Sequence, residues 1–313
     1  MKKRLNIIFM GTPDFAVPTL NLLSQSHHHL ALVVTQPDRP KGRGRQSVPT
    51  PVKQAALQWG HDIIQPASLH TDGFIDAMKQ HDPDLFVVIA FGHILTADLL
   101  SIPRFGAINV HGSLLPKYRG AAPIQWAIIN GEKETGVTTM LMDHGVDTGN
   151  ILLSTRTAIE DHDSSATLHD RLADIGAKLL METVALFEKG PAQSHPQNHS
   201  LATDAPMLSK RDGRVNWNLA AVSIERFIRG LSPWPGAFTF HDTKRLKIFS
   251  AETVHSDTDE SPGTVLRAFP DELRVSTGKD ALSILEIQGA SGKRMLIKDF
   301  LRGYRLPEGT LLK

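Results

Sequence analysis

The sequence of 313 residues contains no cysteine. This absence excludes disulfides, thiolate nucleophiles and cysteine-ligated zinc or iron–sulfur centres. Long hydrophobic runs are missing too: the longest, Leu85 to Phe91, has the length of a strand, whereas a membrane helix needs about 18 or more apolar residues. We therefore expect no membrane span, no membrane partner, and chemistry that depends on oxygen and nitrogen side chains.

The net charge of the whole chain is also low, at +1, and by itself suggests no polyanionic partner. Its distribution is uneven, however, because residues 1–209 carry −3 and residues 210–313 carry +4. The basic end of the chain is thus its C-terminal third. At the other end, MKKRLNIIFMG is basic and then apolar, but its apolar part is too short for a signal peptide, so we expect a cytoplasmic protein.

The segment from Gly190 to Pro206, GPAQSHPQNHSLATDAP, is rich in Pro, Ser, Asn and Gln and lacks apolar periodicity. Such a segment is typical of a linker or a long connection. The sequence therefore predicts a first domain over residues 1–190, a linker over 191–209 and a second domain over 210–313.

Apolar runs and amphipathic stretches alternate before the linker, which favours a doubly wound, mostly parallel α/β sheet. The predicted strands are 5–10, 29–35, 62–65, 84–90, 106–111 and 137–142, and the predicted helices are 12–23, 52–59, 73–81 and 167–190. After residue 210 the runs become short and are broken by Gly, Asp and Pro, at 237–240, 246–254, 263–269, 272–277 and 281–288. Strands at this spacing predict a small antiparallel β-barrel.

Polar side chains follow the strands of the first domain. Asn109 and His111 are two residues apart on one strand, so they face the same side, beyond which such sheets bind ligands. They are either a hydrogen-bonded pair that caps the strand or part of a functional site. Asp143 and Asp147 lie in the loop MDHGVDTG (142–149). A carboxylate that orients a histidine is a more economical interpretation of this loop than a divalent metal site.

Four motifs resemble the bacterial methionyl-tRNA formyltransferases: GTPDFA, TQPDRPKGRGR, INVHGSLLPKYRGAAPIQWAI and MDHGVDTG. The run INVHGSLLP…RGAAPI is specific to the formyltransferases that use 10-formyltetrahydrofolate, and the arginine-rich loop with the C-terminal domain narrows the resemblance to the tRNA enzymes. It extends from about residue 5 to about residue 310. It implies a Rossmann-like catalytic domain and a C-terminal barrel similar to an OB fold.

The resemblance also implies roles for single residues. The catalytic positions are Asn109, His111 and Asp147, and the positions that contact the folate are Ser113, Leu114, Leu115, Pro116, Ile94, Leu95, Asp143 and Gly145. The implied co-substrate is 10-formyltetrahydrofolate, no metal is required, and the implied partner is initiator methionyl-tRNA. Asn109 and His111 would donate hydrogen bonds to the oxyanion formed when the methionyl amine attacks, and Asp147 would orient His111 and assist proton transfer.

The loop DRPKGRGR (38–45) is the main indication of an RNA partner. Its cations are Arg39, Lys41, Arg43 and Arg45. Taken alone, such a run is most often a solvated charged loop. The resemblance instead implies that it contacts the acceptor end of the tRNA and becomes ordered on binding.

Two other features favour ordinary structure. The run His27, His28 and His29 predicts a surface turn rather than a metal site, because no carboxylate or further ligand is spaced around it. GTPDF has one glycine where a dinucleotide-binding GxGxxG needs three, so we expect no NAD site.

The sequence leaves other functions open. A sugar-amine formyltransferase or a formyltetrahydrofolate hydrolase would use the same catalytic residues without an RNA-binding loop. A non-catalytic RNA-binding protein is an alternative of another class, against which the intact Asn109, His111 and Asp147 argue. By resemblance we expect a monomer.

Overall fold

The computed structural model describes residues 3–41, 46–268, 270–290 and 292–313. The strands are β1 (Asn6–Gly11), β2 (His29–Val34), β3 (Arg39–Lys41), β4 (Gln46–Val48), β5 (Ile63–Ile64), β6 (Leu85–Ile89), β7 (Ala107–His111), β8 (Glu134–Leu141), β9 (Ile151–Ala158), β10 (Ala237–His241), β11 (Lys244–Val254), β12 (Val265–Arg267), β13 (Leu273–Ser276), β14 (Ala281–Gln288) and β15 (Met295–Leu296). The α-helices are α1 (Val17–Gln25), α2 (Pro51–Trp59), α3 (Asp72–Gln80), α4 (Ala97–Leu100), α5 (Pro123–Ile129), α6 (Ser165–Phe187), α7 (Ala221–Gly230) and α8 (Ile297–Gly303). Short 3-10 helices occupy Asp14–Ala16 and His199–Leu201.

The chain forms two compact units, and each combines three segments. The first consists of Met1–Gly120, Glu134–Ala158 and His169–Ala205, and the second of Ala121–Lys133, Ile159–Leu168 and Pro206–Lys313. The functional limits expected from the sequence, 1–190, 191–209 and 210–313, stay a prediction.

The first unit is built on a mixed sheet with the strand order β5-β2-β1-β6-β7-β8-β9. The first five of these strands are parallel, β8 pairs antiparallel with β7, and β9 pairs antiparallel with β8. Continuous apolar runs form the central strands because both faces of a parallel sheet are covered; all five residues of β6 are buried. Strand order reverses between β1 and β6, so ligands are expected beyond the carboxyl ends of the strands near this point.

The strands predicted in this unit are confirmed, within one to three residues at their ends. Strand β9 lies at the edge of the sheet, and sequence reasoning missed it. Its sequence, ILLSTRTA, alternates between partly buried and exposed positions and carries Ser, Thr and Arg. An edge strand that faces solvent on one side lacks the continuous apolar run by which the central strands were found.

Thr50 precedes α2, bonds to the residue that follows β2, and provides a test of the fold. Its hydroxyl accepts a hydrogen bond from Lys53 N (3.1 Å) and pairs with the buried Thr35 hydroxyl (2.8 Å). Thr50→Ala is expected to lower the free energy of unfolding by about 1–2 kcal/mol, because a helix cap is lost and a buried hydroxyl is left unpaired. Thr71→Ala is the matched control, since Thr71 precedes α3 without a side-chain cap. Equal losses in urea denaturation of the two variants would contradict this assignment.

The second unit contains an antiparallel sheet, with the order β10-β11-β14-β13-β12 and β15 paired to β14, that forms a half-barrel. The predicted C-terminal strands are thus confirmed. Leu246, Ile248, Leu282 and Ile284 are at most 1% exposed and form its core. Helix α7 also contributes to this core.

Helix α5 belongs to the second unit although it lies early in the chain. Trp126 and Ile129 on this helix pack with Phe227 of α7 and with the buried side chains of Leu208 and Leu231. The indole Nε1 of Trp126 also donates to Pro206 O (2.9 Å). The Trp126 and Ile129 side chains are therefore covered by residues that follow more than 75 positions later in the chain.

Among the described helices, none combines the length and the apolar character that crossing a bilayer would require.

Candidate functional site

Strand β7 places Asn109 and His111 on one face of the sheet. The alternating residues Ile108 and Val110 are buried at 0% and 4% exposure. The Asn109 side chain is half-buried, and His111 is 6% exposed. The alternation of a β-strand thus aims an amide and an imidazole in one direction while their neighbours fix the strand in the core.

Asp147 reaches the same place from the loop between β8 and β9. Its Oδ1 accepts from Asn109 Nδ2 (3.3 Å), and its Oδ2 accepts from the Gly120 backbone N–H (2.8 Å). The same Oδ2 lies 3.5 Å from His111 Nδ1. The structure therefore brings the three residues together around one carboxylate.

The hydrogen bonds also assign the protons of His111. Its Nε2 lies 2.9 Å from the carbonyl oxygen of Tyr118, and a carbonyl only accepts, so Nε2 carries a hydrogen. In the neutral ring Nδ1 then holds a lone pair, and this atom faces Asp147. A second proton on the ring would lie on Nδ1, next to the carboxylate.

Gly120 is required by this geometry. It adopts φ = 116°, and a Cβ at this position would overlap the backbone carbonyl of Ala205. The close approach of these two backbones lets the Gly120 N–H point at Asp147. Sequence reasoning did not identify Gly120 or Tyr118, because both act through backbone groups, which residue type does not reveal.

The segment Ser113–Pro116 follows β7 and is braced from inside the first unit. Ser113 is fully buried, and its hydroxyl donates to Lys117 O (2.6 Å). Thr138 Oγ1 donates to Ser113 O (2.7 Å) and accepts from Leu115 N (3.1 Å). Leu115 is buried, whereas Leu114 and Pro116 are half-buried. The apolar side chains of Leu114 and Pro116 thus remain partly accessible on a fixed backbone.

The other positions expected at the folate differ in exposure. Ile94 is 77% exposed, whereas Leu95 is 4% exposed and packs in the apolar cluster of the sheet. Asp143 Oδ1 accepts from Gly145 N (3.0 Å) and from Thr148 Oγ1 (2.6 Å). The Asp143 carboxylate therefore shapes its own loop.

The histidine run has a carboxylate partner, so the expectation that none lies near it is wrong. Glu188, just after α6, places Oε1 3.2 Å from His27 Nε2 and 3.8 Å from His28 Nε2. His28 Nδ1 accepts from Leu5 N (3.3 Å), which leaves the ring proton of a neutral His28 on Nε2, facing Glu188. A protonated Nε2 offers no lone pair to a metal, so the cluster is better explained as an ion-pair and hydrogen-bond group.

Strand β3 lies within the basic segment 38–45 and pairs antiparallel with β4, Arg39 opposite Val48 and Lys41 opposite Gln46. Arg39 Nη2 donates to Gln36 Oε1 (2.7 Å). Arg43 and Arg45 lie outside the described residues.

Asp38 lies directly before β3 and holds the start of this strand. Its carboxylate accepts from Lys53 Nζ and from Gln65 Nε2, both at 2.7 Å. The hydrogen bond from Lys53, and then that from Gln65, lower the pKa of the Asp38 carboxyl. The Asp38 carboxylate is thus bonded to Lys53 and Gln65 within the first unit.

Comparison with known proteins covers nearly the whole chain. The family model described as "Formyl transferase" matches residues 3–184, and the model described as "Formyl transferase, C-terminal domain" matches residues 207–305. A methionyl-tRNA formyltransferase from Caldanaerobacter subterraneus is 49% identical over 99% of this chain and 100% of the relative. One from Desulfotalea psychrophila is 48% identical over 100% of this chain and 97% of the relative.

Solved structures share the fold at low sequence identity. An N-formyltransferase from Helicobacter canadensis, in complex with folinic acid and dTDP-3-aminofucose, has a TM-score of 0.65 at 18% identity and covers 90% of this chain and 99% of its own. HypX from Aquifex aeolicus, in complex with tetrahydrofolic acid, has a TM-score of 0.63 at 16% identity and covers 96% of this chain and 47% of its own. By the family models and its full-length relatives, the chain belongs to the formyltransferase family and, within it, to the methionyl-tRNA formyltransferases.

Proposed function

We propose that this protein transfers the formyl group of 10-formyltetrahydrofolate to the α-amino group of initiator methionyl-tRNA, giving formylmethionyl-tRNA for translation initiation. The observation that carries the chemistry is the convergence of Asn109 and His111 on the carboxylate of Asp147. The full-length relation to methionyl-tRNA formyltransferases supports the choice of substrate.

In the first step the neutral amine attacks the formyl carbon. A nitrogen–carbon bond forms, and the carbonyl electron pair moves onto the oxygen. Asn109 stabilises this oxyanion, because only one of its two amide hydrogens is needed for Asp147 and the other donates to the substrate. The half-buried position of the amide strengthens the hydrogen bond relative to one in water.

The proton of the attacking amine then moves to the pair formed by His111 and Asp147. Nδ1 of the neutral His111 accepts it, and the adjacent carboxylate stabilises the imidazolium. The Nε2 hydrogen of His111 is already donated to Tyr118 O. If His111 also donates to the oxyanion, the donor is therefore the hydrogen that Nδ1 has taken from the amine. The oxyanion then re-forms the carbonyl, the carbon–nitrogen bond to the folate breaks with its electron pair on nitrogen, and His111 returns the proton to that folate nitrogen.

We assign the folate to the exposed rim of the same site. The contacting positions are Ile94, Leu95, Ser113, Leu114, Leu115, Pro116, Asp143 and Gly145. Leu95, Asp143 and Gly145 contribute backbone groups, in keeping with the buried Leu95 side chain and the internal bonds of Asp143. Ile94 and the partly exposed Leu114 supply apolar surface for a flat ring.

We assign the tRNA to the hairpin loop and to the basic C-terminal region. Arg39, Lys41, Arg43 and Arg45 contact phosphates and bases of the acceptor end, and residues 210–313, with a net charge of +4, attract the rest of the molecule. In this assignment residues 1–190 catalyse, and the protein acts as a monomer in the cytoplasm.

The test is transfer of labelled formyl from 10-formyltetrahydrofolate to charged initiator methionyl-tRNA. Robust transfer that weakens steeply with salt is expected, because phosphate contacts release counterions. Arg43→Ala should raise KM for the tRNA roughly tenfold or more, the loss typical of one arginine contact to nucleic acid. Arg156→Ala, an exposed arginine paired with Glu134, is the control and should leave this KM unchanged.

Turnover of the folate without transfer to tRNA would instead favour a hydrolase. Transfer to small amines with little dependence on salt would favour a sugar-amine enzyme.

A further inference from the structure

Gln197 lies in the segment that composition predicts to be a linker. The structure assigns this residue to the first unit and buries it at 6% exposure. A buried amide is costly unless its hydrogen-bonding groups are satisfied. Its partners therefore indicate why the chain places a glutamine here.

Every hydrogen-bonding group of the Gln197 amide is used. Nε2 donates to Asp147 O (2.9 Å) and to Gly149 O (2.7 Å). Oε1 accepts from Arg119 Nε (3.2 Å) and Nη2 (2.7 Å). The orientation of the amide is forced by its partners, since carbonyls only accept and a guanidinium only donates.

These bonds act on the backbone that presents the Asp147 carboxylate. Asp147 has φ = 54°, in the left-handed region, which a residue other than glycine keeps only where its surroundings impose it. Gln197 holds the carbonyl of Asp147 itself and that of Gly149, two residues later. Arg119, which orients Gln197, is followed directly by Gly120, whose N–H holds the carboxylate itself.

We infer that Gln197, oriented by Arg119, is a positioning residue that fixes Asp147 relative to Asn109 and His111. The inference rests on the catalytic role proposed for Asp147. Gln197 acts through the backbone of Asp147 and has no contact with substrate in this assignment. Loss of its two donors frees the turn and displaces the carboxylate.

The experiment compares Gln197→Ala and the isosteric Gln197→Glu with Gln193→Ala, an exposed glutamine of the same segment. Both changes at position 197 should lower kcat for formyl transfer about 10- to 100-fold, the effect expected when a catalytic group is misplaced by about 1 Å. KM for the tRNA should stay within about twofold, because the hairpin loop is untouched. Gln193→Ala should behave as wild type.

A double-mutant cycle separates positioning from a general loss of structure. In an Asp147→Asn background, Gln197→Ala should lower kcat by less than about twofold, because residues that act as a unit are not additive. A full 10- to 100-fold loss in that background would overturn the inference. If Gln197→Ala does not fold, Gln197→Met, which keeps the volume and removes the donors, takes its place in the cycle.

The cycle also distinguishes the two proposals. If Asp147→Asn alone retains wild-type kcat, the catalytic role proposed for Asp147 fails, and the positioning role that rests on it fails too; if neither this variant nor the wild type transfers formyl to the tRNA, the proposed function fails. If Asp147→Asn is impaired but Gln197→Ala and Gln197→Glu are not, the proposed function stands and the positioning role is overturned.

Discussion

Asn109→Ala is expected to lower kcat for formyl transfer by about 100- to 1000-fold, the usual cost of removing one oxyanion donor. The amide points from a fixed strand, and Asp147 holds one of its hydrogens, so the donor is oriented before the substrate arrives. Such a contact strengthens as charge develops on the oxygen, so its loss should appear in kcat rather than in KM for the folate.

The measurement is single-turnover transfer of labelled formyl, with folate affinity determined separately. Asn109→Asp should be at least as impaired as alanine, because it puts a second carboxylate beside Asp147 and leaves no donor. Asn21→Ala, which removes a half-buried amide that accepts from Trp59 Nε1 away from the site, is the matched control. An Asn109→Ala enzyme with kcat within tenfold of wild type would contradict the oxyanion role.

Gly149→Ala is expected to destabilise the protein by about 3 kcal/mol, at the upper end of the usual cost of overpacking. A Cβ at this buried position would overlap the backbone carbonyl of Leu141. Neither backbone can yield easily, because Leu141 N is bonded to Asn150 O (2.9 Å) and Gly149 O accepts from Gln197. The substitution should therefore disturb the turn that carries Asp147 as well as the sheet.

Gly73→Ala is the control for this prediction. Gly73 lies in the first turn of α3, and a Cβ there would meet nothing within 4 Å. Since alanine favours helix and restricts the unfolded chain, this change should stabilise the protein by up to about 1 kcal/mol. Opposite shifts of the two variants in urea denaturation would support the packing argument, and equal shifts would refute it.

The sequence predicted the elements that have a strong periodic signal. The apolar runs of β1, β2 and β6 and the long amphipathic α6 are confirmed. Helix α7 was not predicted, although Ala221, Ile224 and Ile228 have helical spacing and are buried. The signal was available there, but a region of short strands favoured the antiparallel pattern throughout.

The site could be predicted only in part. The two-residue spacing placed Asn109 and His111 on one face, and the loop 142–149 offered a carboxylate to orient the histidine, but the choice of Asp147 over Asp143 followed only from the resemblance. Gln197 had no sequence signal, because a single glutamine among prolines and histidines looks like any solvated residue. Its burial depends on the approach of residues 197–205 to Arg119 and Gly120, as in the bond from Arg119 N to Thr203 O (2.8 Å).

The early position of α5 has a consequence for synthesis of the protein. The residues that pack with its Trp126 and Ile129 side chains, such as Phe227 and Leu231, are translated about 100 residues later. Because synthesis proceeds at about 5–20 residues per second, Trp126 and Ile129 lack their final neighbours for on the order of 5–20 s after they are translated. The second unit can thus be completed only when synthesis is nearly finished, and until then the Trp126 and Ile129 side chains lack the neighbours that cover them in the folded protein.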